Sequence, residues 1–264
     1  GDATVTSDAQ MVIGASSSDA GFDISGNLLL TVSSGNLIQN AAIEAAGRTK
    51  LDVASDVTLN HAGNDLSTLV ITSAANLLVE DASGLSVSGT VTGNISVSAG
   101  GALTMGATAM GGNLVASSAG AITGIGPLAV TGSSDLTATV VSLAGANDFG
   151  GSVDLTVAGA TTLNDVNALS VKGTSGSDMV LTSVGDVALD LLTIGSGTQS
   201  ANLSVTSGGD VADVAGQITV YGTSDLAAGV SGDVTLNSAR HSLIGDVTAG
   251  GVDITLTTTG ALGL

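Results

Sequence analysis

The feature that most constrains the fold is a short apolar run that recurs along the whole chain and ends each time in turn-forming residues. Residues 143–171, LAGANDFGGSVDLTVAGATTLNDVNALSV, contain two such runs, at 153–157 and 168–171. Each run is bounded by Gly, Asn or Asp, and neither is long enough for a helix. Similar runs follow about every eight to ten residues elsewhere in the chain. The pattern predicts an all-β protein.

A longer period overlies these short runs. Leu85 and Leu169 lie 84 positions apart in matching surroundings, and Gly132 and Gly222 lie 90 apart. A super-repeat of 84–90 residues indicates a protein built from stacked, equivalent units. We therefore expect one continuous β-solenoid domain over residues 1–264, with an incomplete copy at 1–26 and copies at about 27–112, 113–201 and 202–264.

An Asn opens an apolar run at the same place in each copy. These residues are Asn27, Asn113 and Asn202, and each follows a Gly or Ala. We expect them to lie in turns, because Asn tolerates the left-handed backbone conformation and its side chain bonds nearby backbone groups. The alternative interpretation is a polar binding row.

Two further polar anchors recur in the first two long copies. An Asn-Asp pair stands at 64–65 and 147–148, and similar turn segments stand at 80–87 and 164–171. The last copy reads as shortened, without the Asn-Asp pair. In that alignment Leu243 matches Leu85 and Leu169.

Short strands without helices are typical of a sandwich, a barrel or a solenoid, and the internal repetition favours the solenoid. We predict a right-handed parallel β-helix (a β-solenoid) of roughly twelve coils of about twenty residues. Its inward aliphatic side chains should stack in ladders, with Leu85, Leu169 and Leu243 at equivalent positions and Leu155 also inward. The one helix candidate, residues 41–50, is interrupted by Gly47 and reads as a strand.

Composition narrows the possible partners. The chain has 23 acidic and 4 basic residues, a formal net charge of −19, so it lacks the clustered Lys and Arg that bind nucleic acid or an anionic membrane. It has no Cys, and therefore no disulfide framework or thiolate metal site. Its opening residues do not resemble a signal peptide, and no apolar stretch has the length of a membrane helix. We expect neither nucleic-acid binding nor membrane insertion.

The sequence offers few residues for catalysis. Its two His residues, His61 and His241, lie in turn-like segments, and neither stands near a Gly-x-Ser-x-Gly motif. A β-helical enzyme acting on polysaccharides needs clustered carboxylates, with basic or aromatic side chains to hold the sugar. Here the Asp residues are spread over turns, Tyr221 is the one Tyr, and Trp is absent. We predict no enzymatic activity and no catalytic residues.

Ligand sites are equally sparse. Segments 147–148 and 164–167 carry oxygen atoms suited to Ca²⁺, but neither follows a known calcium-loop spacing, and turn formation explains them. The Gly-rich segments 100–101 and 195–197 lack a following Lys or helix and read as turns rather than phosphate loops. A Thr row at 255–259, of the kind that could bind ice, does not recur coil by coil. We predict no metal and no cofactor.

Four segments of the chain carry a resemblance to the repeats of a known protein family. They are AGNDLSTLVIT (62–72), GNISVSAGGALT (93–104), AGANDFGGSVDLT (144–156) and TTLNDVNALSV (161–171). They resemble the shaft repeats of filamentous-haemagglutinin-type exoproteins, the large bacterial surface adhesins exported by two-partner secretion. The resemblance implies a long right-handed β-helical shaft outside a Gram-negative cell, serving adhesion or matrix formation. The secretion domain of that family carries Asn-Pro motifs, and this chain has no Asn-Pro dipeptide, so the resemblance is to the shaft alone.

These observations together predict a non-enzymatic, extracellular structural or adhesive shaft of a bacterial surface adhesin. Its expected partners are more of the same chain or a second copy stacked end to end, and a receptor on a host or neighbouring cell. Two alternatives remain open: a self-assembling filament or biofilm-matrix subunit, and a β-helical enzyme acting on polysaccharides. A native product of thousands of residues would favour the shaft, and one of a few hundred would favour the filament.

Overall fold

A computed structural model describes residues 1–16, 19, 21–214 and 216–260 of the chain. These residues form 30 β-strands and no helix. The chain divides into two compact units, Gly1–Gly132 and Ser133–Leu264. The predicted all-β class is confirmed.

The first unit contains strands β1 to β15. In chain order they are β1 (Ala3–Ser7), β2 (Met11–Ile13), β3 (Phe22–Ile24), β4 (Leu28–Val32), β5 (Leu37–Gln39), β6 (Ile43–Val53), β7 (Val57–Leu59), β8 (Asp65–Ser73), β9 (Leu77–Asp81), β10 (Leu85–Val91), β11 (Ile95–Ala99), β12 (Leu103–Met110), β13 (Leu114–Ser118), β14 (Ala121–Gly124) and β15 (Leu128–Val130). One sheet follows the order β1-β4-β6-β8-β10-β12-β14, with β3 beside β6 and β15 beside β12. The other follows β2-β5-β7-β9-β11-β13.

The second unit contains strands β16 to β30. They are β16 (Ser134–Ala138), β17 (Val140–Phe149), β18 (Val153–Val157), β19 (Thr161–Asp165), β20 (Leu169–Ser175), β21 (Met179–Ser183), β22 (Val187–Ile194), β23 (Leu203–Ser207), β24 (Val211–Asp213), β25 (Ile218–Val220), β26 (Ser224–Ala227), β27 (Val234–Leu236), β28 (Ser242–Leu243), β29 (Val247–Gly250) and β30 (Ile254–Leu256). One sheet follows β17-β19-β21-β23-β26-β29. The other follows β16-β18-β20-β22-β24-β27-β30, and β25 lies between β22 and β28.

Neighbouring strands are parallel and are separated by one coil of chain. Leu30 is in register with Leu51, 21 positions later, and Val153 with Val171, 18 positions later. Each coil contributes a strand to each sheet in turn, as a parallel β-solenoid requires. This confirms the predicted parallel β-helix with about twelve coils of about twenty residues. Its handedness and the boundaries of the long copies stay predictions.

Residue alternation along each strand explains why these runs form strands. In β18 the buried positions are Val153, Leu155 and Val157, and the two residues between them point outward. Because side chains alternate across a strand, one face of each short run enters the core and the other meets solvent. The predicted inward position of Leu155 is confirmed, with 1% of its surface exposed.

The core consists of aliphatic columns that run from coil to coil. In the first unit one column joins Leu37, Val57, Leu77, Ile95 and Leu114, all buried and all in register. Each side chain therefore packs against the equivalent side chain one strand spacing away, about 4.8 Å. Val, Leu and Ile suit this arrangement because their branched side chains fit a pleated surface.

The predicted leucine ladder needs correction. Leu85, Leu169 and Leu243 are all buried, as expected. Leu85, however, lies in a different sheet from Leu169 and Leu243 and is in register with Leu103. Leu169 is in register with Val187 and Leu243 with Val220, so these two leucines also belong to different columns. The three leucines therefore do not form one ladder.

Residues 41–50 are correctly predicted as strand rather than helix. Strand β6 covers most of this segment and is the longest strand described. Its register with β8 shifts between Ala45 and Arg48, around Gly47. The Gly that argued against a helix therefore marks an irregularity in a strand.

Candidate functional site

A cluster of buried polar side chains lies at one corner of the first unit, around Asn64. Asn64 follows a turn in which its own N–H donates to the carbonyl of His61 at 3.0 Å. Its side-chain amide is fully buried and donates to the carbonyl oxygens of Leu59 (3.1 Å) and Glu80 (3.0 Å). Its Oδ1 atom accepts the backbone N–H of Ile43 at 2.9 Å. One side chain thus holds together three successive coils.

Asp81 completes this corner on the following coil. Its Oδ2 atom accepts the N–H of Leu66 at 2.6 Å, and its Oδ1 atom accepts the N–H of Ser83 at 2.9 Å. The Ser83 hydroxyl also donates to the exposed carboxylate of Asp65 at 2.7 Å. These contacts give the buried carboxylate backbone donors on both oxygens, which burial of a charge requires.

The same arrangement recurs in the second unit, around Asn147 and Asp165. Asn147 is buried and donates to the carbonyls of Leu143 (2.8 Å) and Asn164 (3.0 Å). Asp165 accepts the N–H groups of Phe149 (3.1 Å) and Asn167 (2.9 Å). The Asn-Asp anchors seen in the sequence are therefore corner clusters that fix one coil on the next.

Burial acts on the ionisation of the two corner aspartates. It raises the pKa of the Asp81 carboxyl above its usual value of 3.8, and the N–H groups of Leu66 and Ser83 oppose that shift. Burial likewise raises the pKa of Asp165, against the N–H groups of Asn167 and Phe149. A raised pKa in a cleft can indicate a catalytic acid. Here both carboxyl groups are turned into the chain and bonded to backbone, so the shift reflects structural burial.

Rows of Asn and Asp side chains connect neighbouring coils outside the core. In one row of the second unit Asp186 accepts the N–H of Asp210 (2.9 Å), Asp210 that of Asp233 (2.9 Å), and Asp233 that of Asp253 (3.0 Å). In the first unit Asn76 accepts the N–H of Asn94 and Asn94 that of Asn113, each at 2.8 Å. The side chains satisfy turn N–H groups that no strand partner reaches.

The predicted role of Asn27, Asn113 and Asn202 is partly corrected by these rows. Asn27 accepts the N–H of Arg48 (3.0 Å), and Asn202 that of Thr223 (2.9 Å), so bonding to backbone is confirmed, although the bonds reach the next coil. The left-handed conformation expected for these residues is wrong. Among the described residues other than Gly, Leu191 alone has a positive φ, 45°.

The Gly residues before Asn27 and Asn113 have a steric cause, whereas Ala201, before Asn202, already carries a Cβ atom. A Cβ atom on Gly112 would overlap the Oδ1 atom of Asn94, which approaches to meet the next N–H group. The same overlap would occur between Gly209 and Asp186. The Gly-Asn and Gly-Asp pairs of the sequence therefore follow from the close approach of one coil to the next.

The two His residues lie in different surroundings. His61 is partly exposed in the turn before Asn64, where its Nδ1 atom accepts the N–H of Gly63 at 3.1 Å. His241 is completely buried, although the sequence placed it in a turn. Its Nε2 atom lies 3.3 Å from Oδ2 of Asp213, whose side chain is 3% exposed. The two rings make polar contacts with backbone N–H groups and, for His241, with the carboxylate of Asp213.

An acidic groove crosses three strands of the first unit. Asp23 is in register with Glu44, and Glu44 with Asp65, and the three carboxylates line a cavity of about 280 Å³. The other residues that line it are aliphatic or Ser. Sugar recognition normally uses aromatic or basic side chains as well, and this groove has none among its lining residues.

The segments considered above for Ca²⁺ binding, 147–148 and 164–167, form the corner of the second unit. There the side-chain amide of Asn167 donates to Oδ1 of Asp148 at 2.6 Å. In the described ranges no three His, Asp or Glu side chains are placed to hold a metal ion. Within the same ranges there is no helix of the length and hydrophobicity needed to cross a membrane.

A Thr row that the sequence did not reveal lies on the outer face of the second unit. Thr137, Thr156, Thr174, Thr193 and Thr219 are in register on successive strands. The spacing between these residues varies from 18 to 26 positions, so no fixed period in the sequence marks the row. The neighbouring outward column carries Asp135, Asp154, Lys172 and Asp190, so the face is not a uniform hydroxyl surface.

These features define a parallel β-solenoid in which the recurring polar residues tie coil to coil. A family model described as "Repeats of unknown function (DUF5649)" matches residues 1–73, 92–156 and 176–250. The chain belongs to this family of repeat proteins. No curated protein and no solved structure matches it.

Proposed function

We propose that this chain is a non-enzymatic structural segment, the shaft of a bacterial surface adhesin, that acts outside the cell. The observation that carries the proposal is the use of the recurring polar residues. Asn64, Asp81, Asn147 and Asp165 all bond backbone groups of neighbouring coils. A chain whose repeated residues serve stacking is suited to reach and stiffness.

The likeness of its repeats to filamentous-haemagglutinin-type shafts supports the extracellular and adhesive part of this proposal. The acidic surface, with a net charge of −19, is consistent with a repeat protein that must remain soluble and avoid lateral association. The adhesive contact itself is proposed to be with a receptor on a host or neighbouring cell.

Localisation in the native host tests this proposal. Antibodies raised against the purified chain would be used for immunogold electron microscopy of intact cells, with cells lacking the gene as the control. We expect label outside the cell envelope, and a full-length product much longer than 264 residues on a denaturing gel. Label confined to the cytoplasm would contradict an extracellular shaft.

The second candidate is a filament or matrix subunit in which copies of the chain stack on one another. The parallel pairing of coil on coil supports it, because an unpaired strand edge of one copy can accept a strand of a second copy. Negative-stain electron microscopy of the native product separates the two: filaments that lengthen with protein concentration support assembly, and particles of one fixed length support the shaft.

The third candidate, an enzyme acting on polysaccharides, depends on the acidic groove. If Glu44 were a catalytic acid, purified protein would release reducing ends from an acidic or neutral polysaccharide, and Glu44→Gln would abolish the release. We expect no turnover from either protein.

A further inference from the structure

His241 in the third family repeat stands where Asn64 stands in the first. Asn64 Oδ1 accepts the N–H of Ile43 at 2.9 Å, and His241 Nδ1 accepts the N–H of Ile218 at 3.1 Å. Two positions farther on, Leu66 and Leu243 occupy matching places in the strand that follows. The two sets of contacts therefore share one geometry built from different side chains.

The partners of these two residues also correspond. In the first repeat Gln39 and Asn64 exchange side-chain hydrogen bonds, with Asn64 Nδ2 donating to Gln39 Oε1 at 3.1 Å and Gln39 Nε2 donating to Asn64 Oδ1. In the third repeat Asp213 takes the place of Gln39 and faces His241 across 3.3 Å. A neutral amide pair has thus been replaced by a pair that can ionise.

Backbone chemistry fixes where the proton of His241 lies. The N–H of Ile218 can only donate, so Nδ1 must be the unprotonated nitrogen of a neutral ring. The proton therefore resides on Nε2, which points toward the carboxylate of Asp213. At 3.3 Å the Nε2–Oδ2 contact is longer than a regular N–H···O hydrogen bond, and Nε2 makes no such bond within the described residues.

A second proton has no suitable place on this ring. It would have to bind Nδ1, where it would face the N–H of Ile218 and remove that donor's acceptor. Burial of the ring lowers the pKa of His241 below its usual 6.5, and the charge of Asp213 opposes that shift. Within the described residues Asp213 is the charged group that faces the ring, and Arg240, the preceding residue in the chain, is exposed.

The backbone of His241 also holds the end of the described chain. Its carbonyl accepts the N–H of Thr259 at 2.8 Å and the Thr259 hydroxyl at 3.0 Å. Asp213 in turn accepts the N–H of Asn237 at 2.9 Å. The pair therefore connects residues of three coils, and its loss would free more than one turn.

We propose that the Asp213–His241 pair is a pH-sensitive latch that holds the last coils of the second unit closed at neutral pH and releases them in mild acid. The sign follows from proton binding. A His with a lowered pKa binds fewer protons folded than unfolded, so its contribution to stability is present above about 6.5 and is lost as the pH falls below it. Opening of the latch should rise by up to about tenfold per pH unit in that window.

The tautomer gives a first test that needs no mutation at the latch. With two His residues in the chain, nitrogen-15 NMR of the imidazole rings can be assigned with a His61→Asn variant. We expect the neutral Nε2–H form of His241 at neutral pH. A proton on Nδ1, or a ring already charged at neutral pH, would overturn the proposal.

Hydrogen exchange measured by mass spectrometry gives the second test. The peptide containing the Ile218 amide would be followed from neutral pH down to about pH 5, below the usual pKa of His, with correction for the intrinsic exchange rate. The matched control comes from the chain itself: the double substitution Asp213→Gln with His241→Asn rebuilds the amide pair of the first repeat. We expect the wild type to lose protection in acid and the double variant to keep it.

The outcomes separate cleanly. Equal loss of protection in both proteins, or no loss in the wild type, would refute the latch. If the double variant fails to fold, the wild-type NMR titration decides the question, because a latch requires that charging of His241 and the shift of the Ile218 amide resonance follow the same titration curve.

Discussion

Substitution of Leu155 by Asp tests the stacked core most directly. Leu155 is 1% exposed and is in register with Leu136 on one side and Gly173 on the other. Removal of a buried Leu side chain costs about 2–5 kcal/mol. A carboxyl group held there must stay protonated, which at pH 7 costs about 4 kcal/mol more, because its usual pKa is about 3.9. The sum, about 6–9 kcal/mol, approaches the whole stability of a typical domain.

The free energy of unfolding would be measured by urea denaturation followed by circular dichroism at about pH 7 and about pH 4, on either side of the carboxyl titration. Leu155→Ala reports the cavity alone, and Thr156→Asp places the same carboxyl on the neighbouring, exposed position. At the lower pH Leu155→Asp should approach Leu155→Ala, because a buried acid with a raised pKa loses stability only as the pH rises.

Because coils interact mainly with their neighbours, hydrogen exchange should show the damage centred on the strands that contain residues 134–175. A free energy for Leu155→Asp at neutral pH equal to that of Thr156→Asp would refute the inward assignment. Equal effects of Leu155→Asp at both pH values would refute the electrostatic part of the reasoning.

Other substitutions probe the polar rows and corners. Asn94→Ala should lower the free energy of unfolding by about 1 kcal/mol because the N–H of Asn113 loses its acceptor, whereas Asn94→Asp keeps that acceptor and should cost less. Gly112→Ala should lower the free energy of unfolding by about 1–3 kcal/mol, because its Cβ atom would overlap the side chain of Asn94, and by less when Asn94 is already Ala. If urea denaturation shows that the effects of the two substitutions simply add, the contact is contradicted. Burial raises the pKa of Asp165, so the free energy of unfolding of the wild type should fall as the pH rises from about 3.8. Asp165→Asn removes this carboxyl and should remove that fall. If the variant and the wild type show the same dependence of stability on pH, the burial of this carboxyl is contradicted.

The sequence-based interpretation recovered most of the fold because its evidence is local. Alternation in a run such as 153–157 places side chains on two faces, and Gly, Asn and Asp between runs mark the turns. The Asn-Asp anchors at 64–65 and 147–148 were also found from sequence, because both copies use the same residue types. Their role as hydrogen-bond partners of the backbone was not evident from sequence, because the backbone groups that they contact lie on neighbouring coils.

The equivalence of Asn64 and His241 was missed for a related reason. The two residue types share no chemistry in a sequence comparison, and the last copy therefore appeared to lack the segment. Only the register of β28 on β25 and the donor Ile218 show that both side chains accept the same kind of backbone N–H. A pattern of residue types cannot reveal that two different side chains accept equivalent hydrogen bonds in two repeats.

The sequence by itself determined the strand content, the coil length of about twenty residues and the parallel stacking, because each depends on residues a few positions apart or on a repeat that can be counted. Tertiary structure decided which core column each Leu joins and which backbone N–H group donates a hydrogen bond to each Asn or Asp side chain. Those choices depend on register between coils, where a single insertion moves every later contact. The same register places His241 beside Asp213, 28 positions earlier in the chain. His241, which in the sequence looks like an ordinary turn residue, is therefore the one buried His of the described chain.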